Sequence, residues 1–168
     1  SEVIYILPVN LLVELHPAIV HFPIAFFLLA TMAGLFYLFW QPRPTLRLFT
    51  WIPMLLGEIT GIAAVLSGLL AQSGLPPQAD YRSTLNMHIG AGLAQLVVYG
   101  FLLYRRWLFD KAKARRAREA AGTDYVDLLD DPRARWWIAL LLLMGALLVL
   151  LTGWNGGQLV FRWGVNVG

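Results

Sequence analysis

The sequence predicts an all-α integral membrane protein, a four-helix bundle with both termini on the outer, periplasmic side. Three observations predict it. Of 168 residues, 58% are hydrophobic and the mean hydropathy is +0.63. Only 14% are charged, against about 25% in soluble domains. Four apolar stretches are long enough to cross about 30 Å of hydrocarbon, and nearly all Lys and Arg fall in the loops at one end of them.

The first span runs from about residue 17 to 40 and ends in the Gln41-Pro42-Arg43-Pro44 loop. Pro17 suits a first helical position, where its missing N–H costs nothing. The second runs from about 45 to 72, with Thr45 placed to cap it, and SGLPPQADYR follows as a breaker loop. The third runs from about 83 to 107 and is expected to continue as a solvated helix to about 121. After the acidic TDYVDLLDD loop, Asp131 and Pro132 start the fourth, over about 133–154. Residues 155–168 are too short and Gly-rich to span again and read as a tail on the outer face. The whole chain, 1–168, reads as one transmembrane domain with no internal repeat.

The loops after the first and third spans carry Arg43, Arg47, Arg105, Arg106, Lys111, Lys113, Arg115, Arg116, Arg118, Arg133 and Arg135; the other side has only Arg82 and Arg162. The positive-inside rule makes the basic side cytoplasmic. The expected location is a bacterial inner membrane, and the expected partner surface is lipid rather than nucleic acid. With no cysteine, thiolate metal sites, iron–sulfur clusters and covalently attached haem are excluded. No Ser has a convincing His–acid partner, so hydrolysis or group transfer is not expected.

The chemistry lies in LHPAIVHFPIAF, residues 15–26, and in His88. His21 and His88 stand about four and five residues inside the first and third spans, roughly 6–8 Å below the outer end. Two imidazoles at matched depth on parallel helices are what a six-coordinate b-type haem needs. Gly90 and Gly92 would leave room for the macrocycle, and Arg82 or Arg162 could pair its propionates. His16 is five residues from His21, about 140° away around a helix, and reads as a cap or loop anchor. A copper or zinc site, or simple hydrogen bonding by each His, would use the same residues. Glu58, near mid-membrane, and Gln95 form a candidate intramembrane polar pair, with the carboxyl neutral because desolvation disfavours its charge. Gly57 and Gly61 form a GxxxG pair for close helix packing. Trp40, Trp51, Trp107, Trp136 and Trp137 read as an interfacial aromatic belt.

HPAIVHFPIA at 16–25, HIGAG at 88–92 and GGQLVFRWGVNV at 156–167 together resemble the bacterial four-helix membrane proteins of the domain-of-unknown-function family 2231. The resemblance covers nearly the whole chain. It implies a small multi-pass inner-membrane protein with relatives linked to cytochrome c-type modules. In the family pattern a His usually stands where this chain has Trp163, so a second ligand pair using His16 is broken here. The expectation is therefore an electron-transfer subunit with one haem b, held by His21 and His88, passing electrons between a quinone or a larger membrane complex and a periplasmic cytochrome. The alternative is a cofactor-free accessory subunit of a larger respiratory or photosynthetic complex. A transporter is disfavoured by a single midplane acid.

Overall fold

The computed structural model describes residues 16–72, 75–122 and 125–165; the apolar N-terminal stretch and Glu14 lie outside them. Its main elements are α1 (His21–Phe39), α2 (Pro44–Gln72), α3 (Arg82–Asp110), α4 (Ala112–Ala120) and α5 (Arg135–Phe161). One helical turn, residues 16–19, precedes α1. It and α1 form one continuous run, His16–Phe39, and this run, α2, α3 and α5 are long and apolar enough to cross a membrane. The four stand up and down in chain order, so α1 and α3 begin at one end, the histidine end. The arginine-rich loops close the other.

Four boundaries differ from the sequence reading. α2 already begins at Pro44, so Thr45 lies inside the helix and does not cap it. The third span does not run on unbroken to residue 121: Lys111 turns extended, with ψ 140°, and α4 starts afresh. Arg118 then folds back, donating to the Phe109 carbonyl at 2.6 Å. Asp131 caps only the turn ahead of α5, accepting from Arg133 N at 2.9 Å, and the helix itself starts at Arg135. At its far end α5 passes Trp154 and continues to Phe161. Its glycines do not break it, because the helix is held there by packing against His88.

Most packing is within two antiparallel hairpins, α1 with α2 and α3 with α5; α1–α5 and α2–α3 are lighter seams. The two hairpins match in their pattern of buried positions. Adding 72 to residue numbers in α1 gives the matching position in α3, and adding 88 to those in α2 gives that in α5. Buried Pro23, Phe27 and Ala30 correspond to buried Gln95, Tyr99 and Leu102. Thr50, Trp51, Met54, Gly57, Gly61, Ser67 and Ala71 of α2 are buried, as are Ile138, Ala139, Leu142, Gly145, Val149, Asn155 and Leu159 at the matching positions of α5. The chain is thus an architectural repeat whose spacing, rather than residue identity, is kept.

At mid-bundle the match is a four-layer sandwich. Phe27 and Tyr99 stack with ring centroids 4.2 Å apart and planes within 5°. Behind Phe27 lies Gly57, whose absent Cβ would be 2.7 Å from the ring; behind Tyr99 lies Gly145, where it would be 2.6 Å. These glycines exist to let two aromatic rings fill the bundle axis. Gly61 likewise admits Leu96 of α3. Tyr99 Oη and Thr31 Oγ1 share a hydrogen bond of 2.7 Å.

At the arginine end the acidic loop returns as a plug. A 3₁₀ turn, Leu128–Asp130, buries Leu128 and Leu129. Asp127 accepts from Trp51 Nε1 at 3.0 Å and from Leu129 N at 3.0 Å, and it pairs with Arg106 at 3.7 Å. Asp130 takes the Tyr37 hydroxyl and pairs with Arg47 at 3.8 Å. Trp51 is therefore not part of the aromatic belt: it is 2% exposed, because a carboxylate 76 residues away needs its N–H. Trp40, Trp107 and Trp136 are exposed as a belt requires.

Candidate functional site at the histidine end

Two hairpins that pack alike present two histidines alike. His16 lies against Gly68 of α2, where a Cβ would be 2.9 Å from its ring; His88 lies against Gly156 of α5, where it would be 3.1 Å away. Gly68 and Gly156 occupy matching positions, as do the histidines. His88 Nδ1 donates to the Thr152 carbonyl at 2.9 Å; a carbonyl only accepts, so the proton is on Nδ1. His16 Nδ1 meets Ser67 Oγ at 2.8 Å, and that hydroxyl already donates to the Ala64 carbonyl at 3.0 Å, so His16 Nδ1 is the donor. Ala64 is the position in α2 that matches Thr152. In both rings the hydrogen bond uses Nδ1, which leaves Nε2 as the nitrogen open to another partner.

The two imidazoles are near enough to interact electrostatically, and both are half-buried. The fold thus brings His16, and not His21, to His88. His21 is exposed on the outside of the bundle. The reason is helical phase: α1 is preceded by another turn that carries the chain back to His16, and residues five apart cannot share a face. His16 was expected as a cap or loop anchor; its ring is indeed tied to Ser67, and it also faces the bundle interior, where the expected ligand His21 does not.

The other expected site residues divide. Gly92 faces α5, where a Cβ would be 3.7 Å from Thr152 Cγ2, whereas Gly90 is exposed, with nothing within 4 Å of that position. Arg82 is tied to its own loop, donating to the Pro76 and Leu75 carbonyls at 2.9 and 2.8 Å. Arg162 is exposed beside Trp163, 5.2 Å from the ring centroid. Glu58 and Gln95 are not joined as a pair. Their Oε1 atoms are both buried without a hydrogen-bond partner among the described residues, and Glu58 lies over Gly100 of α3. Gln95 faces the core on the same helical face as His88 and Tyr99, whereas Gly100 is about 140° round α3 from it.

What sequence reasoning missed was the inward histidine and its seat. The signal was present in the spacing: each His stands eleven residues before the aromatic ring of the central stack, and each seat glycine eleven residues after the glycine behind that ring. Among the described residues no group of three or more His, Cys, Asp or Glu could hold a metal ion. The arrangement offers two inward imidazoles at matching positions of the two hairpins.

Comparison with known proteins gives one match. Residues 13–168 match a family described as "Predicted membrane protein (DUF2231)". No curated protein and no solved structure matches the chain. Covering almost the full length and including all three histidines, the match shows that the chain belongs to this family of predicted membrane proteins.

Proposed function

We propose that the protein is a membrane electron-transfer subunit in which His16 and His88 would hold one b-type haem near the histidine end. The observation that carries the reading is that His16, in the turn ahead of α1, and His88, on α3, each spend Nδ1 on a hydrogen bond at matching positions and keep Nε2 for another partner. Ligating histidines characteristically donate their second ring N–H to a carbonyl or similar acceptor, which fixes the tautomer and the ring plane. Both histidines already do so, at matching positions of the two hairpins. The donor set also fits: two imidazoles are what bis-histidine haem requires, and the chain has no cysteine to offer a thiolate. When bound, the group supplies one-electron oxidation and reduction. The chain's own part is to orient the rings on Gly68 and Gly156 and to exclude water below them with the Phe27–Tyr99 stack. Arg162 is the available cation for a propionate.

With the arginine-rich loops cytoplasmic, the site faces the periplasm of an inner membrane. The donor or acceptor there would be a periplasmic cytochrome, and within the bilayer a larger membrane complex or a dissolved carrier. A cofactor-free accessory subunit is the second reading, favoured by the same two Nδ1 hydrogen bonds taken as helix cross-links.

One spectrum separates them. Protein made with ample haem should show a reduced-minus-oxidised α-band. His16→Ala and His88→Ala should each abolish it, and His21→Ala should leave it intact. A flat wild-type spectrum would sink the haem and leave the accessory subunit.

A further inference from the structure

The arginines at the plugged end differ in their partners. Arg47 and Arg106 face Asp130 and Asp127, and Arg115 pairs with Glu119 at 3.6 Å. Arg105 and Arg133 pair with no carboxylate among the described residues, yet the two line one cleft. It holds about 350 Å³ between the end of α3 and the start of α5. Buried Leu128 and Ala134 lie at its base, with half-buried Phe109 and Trp137 beside them.

The aromatic lining orients the charge. The Arg105 guanidinium lies 5.2 Å from the Trp137 ring centroid and 5.9 Å from that of Phe101. Such a contact occupies the face of the guanidinium and leaves its in-plane N–H donors for an acceptor. Arg118 of α4 stands 3.5 Å from the Phe109 centroid, so the fold-back of α4 brings a third positive charge to the same wall. Asp131 is the acid of the lining, and its Oδ1 is taken by Arg133 N at 2.9 Å. The surplus is positive, and its complement is an anion with acceptor oxygens.

Depth decides which anion. Arg105 is five residues before the end of α3 at Asp110, about 7–8 Å along the axis. Trp107 and Trp136 are exposed near this level, as side chains at the headgroup boundary are. One turn deeper Phe101 and Leu140 are exposed too, an apolar strip below the arginines. A soluble anion would leave that strip uncovered. A phospholipid covers it with an acyl chain while its phosphate meets the guanidiniums, as anionic lipids do in basic pockets between spans.

We propose that the α3–α5 cleft binds the headgroup of an anionic phospholipid, with Arg105 and Arg133 on its phosphate. The site lies at the opposite end of the bundle from the histidines and stands whether or not haem binds.

The test is native mass spectrometry of the full chain in a non-ionic detergent, titrated with phosphatidylglycerol or with phosphatidylcholine, whose choline would meet the same arginines. Wild type should retain one phosphatidylglycerol at about tenfold lower concentration than phosphatidylcholine, and Arg105→Gln and Arg133→Gln should each weaken that retention by about fivefold, the worth of one arginine at a lipid surface. The Arg133 side chain makes no hydrogen bond or ion pair among the described residues, so its variant reads the site even where loss of the Arg105 stack lowers stability. Arg43→Gln, at an exposed arginine outside the cleft, should change nothing. Inorganic phosphate at millimolar concentration should leave the lipid bound, since it has no chain. Equal retention of the two lipids, or equal effects of Arg43→Gln and Arg133→Gln, overturns the proposal. Displacement by phosphate would make this a soluble anion's site and overturn it as well.

Discussion

Asp127→Ala should destabilise the protein by about 3 kcal/mol, the low end of the range for breaking a buried ion pair. Two groups lose their partner at once and a third loses the nearer of two. Trp51 Nε1, on a side chain 2% exposed, loses its acceptor, and Leu129 N loses the cap that starts the 3₁₀ turn. Arg106 loses its carboxylate at 3.7 Å and keeps only Asp110 at 3.9 Å. The low end applies because the Arg106 side chain is 35% exposed and water recovers part of its solvation. Asp127→Asn is the control. Its amide oxygen still accepts from Trp51 and Leu129, and burial already pushes the Asp127 carboxyl above the usual carboxylate range, against the pull of Leu129 N–H, Trp51 and Arg106. Removing the charge should therefore cost about 1 kcal/mol. The sign of the pH dependence follows. A folded pKa above the unfolded one means this carboxyl contributes most below its unfolded value, and the contribution declines as pH rises through the folded one. Wild type should lose stability over that rise relative to Asp127→Asn. Thermal unfolding in detergent, followed by circular dichroism, reads all three; equal midpoints for Asp127→Ala and Asp127→Asn would refute the plug.

Gly145→Ala should cost about 2 kcal/mol, although alanine is the better helix former by about 1 kcal/mol. The new methyl would stand 2.6 Å from Tyr99 Cζ and 2.7 Å from Cε2. Tyr99 cannot retreat: it is fully buried and stacked on Phe27, and Phe27 is closed off behind by Gly57. Gly57→Ala meets the same sandwich from the other side and should cost as much. Gly157→Ala has open space within 4 Å and should be neutral or slightly stabilising. The same unfolding experiment decides it. A Gly145→Ala protein more stable than wild type would mean that the aromatic stack can shift and does not set the helix spacing.

The four spans were legible because burial in lipid writes itself as long apolar runs. The GxxxG pair was legible as a place of close approach, but not its occupants, Phe27 and Leu96, which come from other helices. Which of His16 and His21 faces inward was not legible, because helical phase depends on where a helix begins, and two prolines within eight residues leave that open to any local reading. Trp51 was misread because its partner, Asp127, sits 76 residues away in a loop whose composition says only that it is acidic. The repeat escaped notice because lipid tolerates any apolar residue: selection on packing preserves small positions and spacings and leaves identity free to drift.

The matched hairpins also bear on symmetry. A bundle of two identical two-helix chains would have two identical seams, and a carboxyl placed in one would necessarily stand in both. Joined in one chain, the two seams are free to differ. Glu58 and Gly100 meet at the α2–α3 seam, while Ala146 and Leu28 hold the matching positions of the other, so the bundle has a front and a back.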